Sequence, residues 1–495
     1  MTPYQELEAI FRRMSVLRGV QSVLHWDMAV NMPDGGAAAR AEQLAALKRL
    51  QHETLTDPRL ADLLAAAGEG EGLDDWRRSN LRAMRRRWLH ARAVDPALVE
   101  AHTHASIACE MAWRAAKPAG DFAAVAPHLE KIVALVREIA AARAEALGVT
   151  PYEALLDQFE PGGSTARIDG LFDDLSAFLP GFLERVLDHQ VRRPAARPPS
   201  GPFPIDRQRA LGVAMMETIG FDFAGGRLDV SHHPFCSGIP EDIRITTRYR
   251  EEDFTSSLMG VLHETGHALY EKGLPADWRN QPVGLGAGMA IHESQSLLME
   301  MQACRSPEFL AFAAPVMRDA FGGDGPEWAP DNLFRHYTTV QRSFIRVDAD
   351  EVTYPAHVIL RYRLERAMLA GDLPVADLPV AWNEGMQALL GIVPPDHARG
   401  CLQDVHWFSG AIGYFPTYTM GAMAAAQLFQ AAKRAVPEIP AAIGRGDFAP
   451  LLGWLCANVH GRGALHHTDD LLAEATGAPL GTAAFKAHLE ARYLS

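Results

Sequence analysis

The sequence predicts a mainly α fold, in which one large helical unit contains a deep groove and a small β-sheet lies beside a histidine-bearing helix. Ala, Leu, Arg and Glu dominate the 495 residues, and apolar side chains recur with the 3.6-residue period of amphipathic helices. Alternation of apolar and polar residues, which is typical of strands, is concentrated at residues 227–250. The expected architecture is therefore helical, with one short sheet.

The helical pattern occurs in many segments along the chain. It is clearest over residues 6–29, 36–68, 73–116, 120–148, 165–190, 308–323, 331–346, 354–371, 420–435 and 480–493. The main break is residues 192–204, which are rich in Pro, Arg and Ala and predict a connecting loop. Because helices on both sides of this loop can pack together, we expect one domain over residues 1–495. Its helical N-terminal part would be residues 1–191, and residues 205–495 would hold the candidate catalytic groups.

The strand pattern is clearest at Ile243 and Ile245, which alternate with the polar residues Asp242, Arg244 and Thr246. A short sheet next to the histidine-bearing helix is expected here. An edge strand of such a sheet could bind an extended peptide as an additional strand. The alternative is a small hairpin that only stabilises the fold.

Charge and cysteine usage exclude several classes of protein. Lys and Arg number 47 against 61 Asp and Glu, and this net charge of −14 disfavours a nucleic-acid-binding surface. The five cysteines have no paired spacing, as expected for reduced thiols in the cytoplasm. No basic segment followed by an apolar run begins the chain, and no apolar run reaches the length of a membrane span. We therefore expect a cytoplasmic protein without nucleic-acid or membrane partners.

The most informative motif is His-Glu-Thr-Gly-His at residues 263–267, in a helical segment with Asp253 and Thr255 as candidate N-caps. Residues four apart on a helix lie on one face, about 6 Å apart along the axis, so His263 and His267 can direct two imidazoles at one metal ion. Glu264 is turned about 100° from His263 and can reach a water molecule that the metal activates. The alternative is a pair of core histidines that hydrogen bond to their neighbours.

A third metal ligand is expected from the segment that follows. A zinc hydrolase uses three protein ligands and leaves the fourth position to water. Residues 289–304 have the pattern of a second helix after a glycine-rich turn, and this helix can place Glu293 opposite the histidine pair. His292 is the competing candidate. We predict one zinc ion per chain, held by His263, His267 and Glu293.

Short motifs follow one another along nearly the whole chain. They are Trp26-Asp27, Met32-Pro33, Gly35-Gly36, Arg40-Ala41-Glu42-Gln43, His233-Pro234-Phe235, Asp242-Ile243-Arg244-Ile245-Thr246, the two histidine motifs at 263–267 and 292–296, and the segments 344–354, 403–407 and 413–418. In content and order they resemble the carboxypeptidase Taq family of zinc-dependent metallocarboxypeptidases. Asp348 stands where a glutamate is expected, which is a mild departure from the pattern.

This resemblance implies an enzyme that releases single amino acids from the C-terminus of peptides with a free terminal carboxylate. It also implies broad specificity with poor tolerance of a terminal proline, a homodimer, and activity with cobalt in place of zinc. In the expected mechanism, a zinc-activated water attacks the peptide carbonyl and Glu264 acts as general base.

Three further residues are candidates for the reaction on the basis of these motifs. Tyr418 is the first choice, and His406 the second, for a donor that stabilises the oxyanion. A tyrosine in an aromatic-rich loop can instead be a packed ring with a satisfied hydroxyl, and a histidine next to Trp407 can be structural. His233 is expected to line the cleft and contact the substrate.

Arginine suits the binding of a terminal carboxylate, because its planar guanidinium can hold both oxygens. Arg346 is the predicted substrate-binding arginine, and Arg244 and Arg361 are the alternatives. Arg346 lies close to Asp348 and Asp350, and in general such an arginine forms a structural ion pair.

Two rival functions differ in the reaction that they predict. A helical zinc endopeptidase or peptidyl-dipeptidase would have the same metal site, and the products of peptide cleavage would distinguish it. A metal-binding scaffold without turnover is disfavoured by Glu264, since holding zinc does not require a general base.

Overall fold

Helices dominate the computed structural model, which describes residues 1–70 and 72–495. Within these residues the helices are α1 (Pro3–Val30), α2 (Ala37–Thr56), α3 (Arg59–Glu69), α4 (Asp75–Arg92), α5 (Pro96–Ala119), α6 (Phe122–Leu147), α7 (Pro151–Leu156), α8 (Thr165–Val191), α9 (Ile205–Ile219), α10 (Phe254–Gly273), α11 (Met289–Leu297), α12 (Pro307–Phe321), α13 (Pro330–Tyr337), α14 (Tyr354–Ala370), α15 (Leu378–Leu390), α16 (Pro416–Ala435), α17 (Ile439–Ile443), α18 (Ala449–Asn458), α19 (Thr468–Thr476) and α20 (Ala483–Tyr493). The strands are β1 (Gly226–Val230), β2 (Phe235–Ile239) and β3 (Asp242–Thr247). The predicted fold class, mainly α with a small sheet, is confirmed. None of these helices is long and apolar enough to cross a membrane.

Prolines divide two of the predicted helices. The segment predicted as one helix over 36–68 is interrupted before Pro58, and the segment 73–116 is interrupted before Pro96. Proline lacks an amide hydrogen and disfavours helical backbone at the residue before it, so it favours the start of a helix. Asp95 then caps α5, where its carboxylate accepts a hydrogen bond from the amide of Ala97.

The chain divides into two compact units, each assembled from three separate segments. The first unit contains residues Met1–Trp88, Ala195–Thr338 and Gly421–Leu480. The second unit contains Leu89–Pro194, Thr339–Met420 and Gly481–Ser495. The change from one unit to the other at Ala195 falls inside the loop predicted at 192–204. The single domain over residues 1–495 stays a prediction.

The small sheet of the first unit packs against α9 and α10. Strand β3 lies in the middle, parallel to β1 and antiparallel to β2. Ile243 and Ile245 are buried and join an apolar cluster with Leu228 from β1, Met216 from α9 and Val261 from α10. The alternation predicted from the sequence therefore turns apolar side chains of β3 toward the helix that carries the two histidines.

Helices supply hydrogen bonds to the outer strands of this sheet. Ser22 on α1 accepts a hydrogen bond from the amide of Gly238 in β2 (2.9 Å). Arg209 on α9 donates to the carbonyl of Leu228 in β1 (3.3 Å). Backbone groups that an added strand would use are thus already bonded at these positions, which favours the stabilising role over peptide addition.

Helix α14 lies in the interior of the second unit. Most of its residues are buried, among them the charged side chains of Arg361 and Glu365, which are both 0% exposed. The ring of Tyr362 on the same helix packs edge to face against Tyr152 and Phe172 at centroid distances of 5.5 and 5.2 Å. Buried charged groups need partners: Arg361 forms an ion pair with Asp404, and Glu365 accepts hydrogen bonds from Tyr152 and Trp407.

Candidate active site

Helix α10 presents the two histidines of the motif. Its N-cap is Asp253, as the sequence suggested, and the carboxylate accepts hydrogen bonds from the amides of Thr255 (2.8 Å) and Ser256 (3.3 Å). Gly266 allows α11 to approach closely, because a Cβ at this position would lie 2.4 Å from the carbonyl oxygen of Gln295. The glycine between the histidines is thus required by the packing of two helices.

The structure brings together the three predicted metal ligands. One ligand atom each from His263, His267 and Glu293 lies within 4.8 Å of the other two, and His267 Nε2 is 3.5 Å from Glu293 Oε2. His292, the competing candidate, donates from Nε2 to Glu271 (2.9 Å), and its ring packs against that of His267. The geometry therefore favours Glu293 over His292.

The donor types of this group fit zinc. Two imidazole nitrogens and one carboxylate oxygen are ligands that zinc commonly takes, and three protein ligands leave one position for water or substrate. Glu293 is buried, and the nearby histidines lower its pKa to about 2 although burial alone raises it. A carboxylate that is ionised in a buried position is suited to a cation.

Both histidines are oriented through Nδ1. His263 Nδ1 donates to Glu300 Oε2 (2.9 Å), and Glu300 Oε1 accepts from Arg305 Nη2 (2.5 Å). His267 Nδ1 donates to the backbone carbonyl of His292 (3.0 Å). Such contacts hold the rings with Nε2 available for a metal ion.

Electrostatics distinguish the acidic and basic groups of this cluster. Burial raises the pKa of Glu264 to about 7, although His263 opposes the shift. Burial disfavours the charged form of His263, but its hydrogen bond to Glu300 and the nearby carboxylates raise its pKa to about 10. Burial lowers the pKa of His267 to about 4. A carboxyl group that titrates near neutral pH suits a general base.

Two other predicted residues lie at the sheet of the first unit. His233 is exposed in the turn between β1 and β2, where its ring contacts that of His232. Arg244 on β3 forms an ion pair with Asp242 (2.7 Å), and its guanidinium lies 4.2 Å from the ring centroid of Trp26. These contacts give Arg244 structural partners on both sides.

A second group of predicted residues assembles in the second unit. Arg346 is 6% exposed, and its guanidinium carbon lies 5.0 Å from the ring centroid of Tyr418. The ring centroid of His406 lies 4.5 Å from that of Phe415 and 6.4 Å from that of Tyr418. Arg361 is fully buried and its Nη2 lies 2.6 Å from Asp404 Oδ2. The structure thus groups Arg346, His406 and Tyr418 and places Arg361 behind them, away from solvent.

Known proteins match the chain along its whole length. A family model described as carboxypeptidase Taq (M32) metallopeptidase matches residues 6–493. The chain belongs to the carboxypeptidase Taq (M32) family. Thermostable carboxypeptidase 1 of Thermus thermophilus is 38% identical over 512 residues, covering 100% of this chain and 99% of that relative.

Solved structures of M32 carboxypeptidases have the same fold. The structure of Trypanosoma cruzi metallocarboxypeptidase 1 has a TM-score of 0.97 and 40% identity, covering 100% of this chain and 99% of that one. A structure described as Pyrococcus furiosus carboxypeptidase "Apo-Mg" has a TM-score of 0.94 and 33% identity, covering 100% and 99%. These similarities confirm the family predicted from the motifs. As an M32 metallocarboxypeptidase, the chain is a peptide hydrolase that uses a metal ion.

Sequence reasoning missed a carboxylate that orients a candidate metal ligand of this M32 enzyme and another that is buried in the second unit. Glu300 lies in a π-helical turn, Leu298–Ala303, and its position seven residues after Glu293 on a continuing helix is the signal that could have found it. Glu365 accepts hydrogen bonds from Tyr152 (2.7 Å), Trp407 (2.8 Å) and the amide of Gly413 (3.2 Å). Only the fold brings these donors to Glu365.

Proposed function

We propose that the chain is a zinc-dependent carboxypeptidase that releases single amino acids from the C-terminus of peptides with broad specificity. The observation that carries this proposal is the convergence of His263, His267 and Glu293, whose ligand atoms lie within 4.8 Å of one another, with Glu264 on the same helix as the two histidines. The family supports carboxypeptidase chemistry, and the ligand types support zinc.

Zinc is proposed over magnesium on the chemistry of the ligands. Magnesium prefers oxygen ligands and retains several waters, whereas imidazole nitrogens suit zinc and cobalt. Because the structure of the Pyrococcus furiosus relative is described as "Apo-Mg", the metal that supports activity should be measured. Metal-free protein should regain activity with zinc and with cobalt. Recovery with magnesium alone would contradict the proposed metal.

The reaction is proposed to proceed by attack of water on the terminal peptide bond. The bound metal supplies Lewis-acid polarisation of the carbonyl and acidifies water. Glu264 accepts the proton of the attacking water and transfers it to the amine of the departing residue. Tyr418 or His406 donates a hydrogen bond to the oxyanion, and His233 contacts the substrate.

Selection of the chain end is assigned to Arg346. A terminal carboxylate is bound best by a guanidinium in a site with little water, and Arg346 is nearly buried among aromatic rings. The alternatives are weaker because Arg361 is fully enclosed and Arg244 is held by Asp242 and Trp26.

Mass spectrometry of peptide products tests this function directly. A peptide incubated with zinc-loaded protein should give a ladder that shortens by one residue at a time from the C-terminus. Cleavage should slow when proline becomes the terminal residue. Loss of dipeptides or internal cleavage would instead support the peptidyl-dipeptidase or endopeptidase alternative.

The assembly and location of the enzyme are also proposals. The family resemblance supports a homodimer, and the acidic net charge and unpaired cysteines support a cytoplasmic enzyme without nucleic-acid partners. Light scattering coupled to gel filtration should give twice the chain mass of 54.1 kDa. A single-chain mass at micromolar concentration would contradict the dimer.

A further inference from the structure

One edge of the Arg346 guanidinium is already bound to a carboxylate of the chain. Nε and Nη2 donate to Asp404 Oδ1 at 3.2 and 2.9 Å. Nη1 donates to the hydroxyl of Tyr354 at 3.0 Å. A second carboxylate, such as that of a peptide, must therefore approach the edge formed by Nη1 and Nη2.

Asp404 is held in turn by Arg361. Nε of Arg361 donates to Asp404 Oδ2 at 2.7 Å, whereas the closest contact of Arg346 is with Oδ1 at 2.9 Å and its Nε lies 3.5 Å from Oδ2. Arg361 is fixed by a hydrogen bond from Nη1 to the carbonyl of His357 (2.7 Å) and by the ring of Trp382, 4.6 Å from its guanidinium carbon. A fully buried arginine on α14 thus determines where Asp404 lies.

The residue next to Asp404 fixes the backbone of Arg346. Gln403 accepts a hydrogen bond from the amide of Arg346 (2.8 Å). Its own amide group donates to the carbonyls of Phe344 (2.9 Å) and Gly400 (3.1 Å). The dipeptide 403–404 therefore contacts both the backbone and the guanidinium of Arg346, which leaves this long side chain little rotational freedom.

Charge within this cluster is unbalanced. Arg346 and Arg361 carry two positive charges against the negative charge of Asp404, while Glu365, which interacts with Arg361, has a pKa raised by burial to about 7 and is only partly ionised near pH 7. The adjacent histidines do not add to the cluster: burial lowers the pKa of His357 to about 3 and that of His406 to about 4, so both are neutral near pH 7. A net positive charge is left in this buried site, where an anion is attracted.

We propose that Arg361 and Asp404 are positioning residues for the terminal carboxylate of the substrate, which they direct to the Nη1–Nη2 edge of Arg346. This inference rests on the proposed role of Arg346. Arg361 acts only through Asp404, and Asp404 acts by occupying the other edge of the guanidinium and holding its plane in one orientation. Neither residue needs to contact the substrate.

A double-mutant cycle tests the arrangement. Arg361→Gln and Asp404→Asn are made in the wild type and in Arg346→Ala, and kcat and KM are measured for a peptide with a free C-terminus and for its C-terminal amide. In the wild-type background each change should raise KM for the free acid about 10-fold or more, with kcat altered less than about 3-fold. The effect should disappear in the Arg346→Ala background.

Two further variants separate positioning from loss of structure. Arg363→Gln is the matched control, since Arg363 lies on the same helix but is exposed and pairs with Asp173 at the surface. It should leave KM unchanged. Arg361→Lys keeps the buried charge without the planar group and should give a KM between those of wild type and Arg361→Gln. Zinc content should be the same in all variants, and circular dichroism melts should show folded protein.

The outcomes separate the two levels of the proposal. If Arg346→Ala leaves KM and the preference for the free acid unchanged, the proposed role of Arg346 is wrong. If Arg346→Ala removes the preference but Arg361→Gln and Asp404→Asn do not raise KM, the positioning role is wrong and the role of Arg346 stands. The positioning role is also wrong if the two changes raise KM as much in the Arg346→Ala background as in the wild type.

Discussion

The candidate metal ligands of the first unit (His263, His267 and Glu293) form one group, here called the metal-ligand group. The arginine group of the second unit consists of Arg346, Arg361 and Asp404. The two groups differ in the sign of their net charge. Around the first, three carboxylates (Glu264, Glu293 and Glu300) outnumber the guanidinium of Arg305, so the group has a surplus of negative charge once a metal ion takes the place of the proton on His263. In the second, two guanidinium groups share one carboxylate. The first group suits a cation and the second an anion. A metal cation therefore tests the first group, and a peptide's terminal carboxylate tests the second.

The two groups also differ in how their residues are fixed. The metal ligands lie within residues 263–293 on two adjoining helices, and helix periodicity directs them. Arg346, Arg361 and Asp404 come from separate elements and are fixed by ion pairs. The helix backbone sets the direction of each metal ligand, and a neighbour such as Glu300 only refines it. In a network of buried ion pairs, by contrast, the orientation of each side chain depends directly on its partners. The following predictions, from largest to smallest effect, use this difference.

His267→Ala should abolish activity and remove stoichiometric zinc. With one imidazole gone, two ligands remain, and a zinc hydrolase needs three. Elemental analysis of the purified variant measures the metal, and reversible loss of activity with a chelator is the parallel result expected for the wild type. Zinc retained at one ion per chain in His267→Ala is incompatible with this ligand set.

Glu264→Gln should lower turnover by about 10² to 10⁴ with metal content near that of the wild type. Glutamine keeps the size of the side chain but cannot accept the proton of the attacking water. Steady-state kinetics with elemental analysis checks both expectations. Turnover within a few-fold of the wild type would assign the general base to another residue.

Arg346→Ala should reduce the preference for a free acid over its amide by roughly 30- to 4,000-fold, the equivalent of losing a buried charge pair. Arg346→Lys should restore only part of it, because an ammonium does not offer two parallel donors. The acid-to-amide ratio of kcat/KM is the measurement, and zinc content is the control. An unchanged ratio would move the carboxylate site to Arg244 or Arg361.

Glu300→Gln should weaken zinc binding by about 10- to 100-fold without removing it. The amide no longer supplies a charged acceptor for Nδ1 of His263. The matched control is Glu271→Gln, which alters an equally close carboxylate–histidine pair whose histidine, His292, is not a proposed ligand. Competition with a chromogenic chelator measures both affinities. Equal losses in the two variants would show that overall charge matters and that orientation of His263 does not.

Glu365→Gln should give a stability difference that depends on pH. Burial holds the pKa of Glu365 at about 7, above its ordinary value of 4.5, so between these pH values the folded chain keeps a proton that the unfolded chain releases. This carboxyl group stabilises the fold at low pH, and the contribution is lost as the pH rises through 7. The Tm of Glu365→Gln relative to wild type should therefore increase by a few degrees from pH 5 to pH 8. A constant difference would contradict this.

The sequence predicted the first group better than the second for a physical reason. Helix spacing alone placed His263 and His267 on one face, and the connection 274–288 brings the next helix, with Glu293, to them. The segment containing Arg346 was predicted to end a helix at 331–346, but α13 ends at Tyr337, and Arg346 follows in a short 3₁₀ turn. Local periodicity did not describe this segment.

The partners of Arg346 were beyond sequence reasoning. Asp404 lies 58 residues away along the chain, and only the fold brings it to Arg346. Arg361 was a candidate for the same role as Arg346, and only its burial and its ion pair distinguish the two. Residue type identifies which side chains can bind a carboxylate, but the position of each in the fold decides which one is available.

The contacts of α20 have a consequence for the synthesis of the enzyme. The carboxylate of Glu351, five residues after Arg346, accepts hydrogen bonds from three residues of that helix: His488 (2.9 Å), Arg492 (3.2 Å) and Tyr493 (3.1 Å). A ribosome makes these partners more than a hundred residues after Glu351. In a nascent chain stalled before α20, the buried carboxylate of Glu351 should therefore lack these three contacts, even though the helices that carry the metal ligands have already emerged.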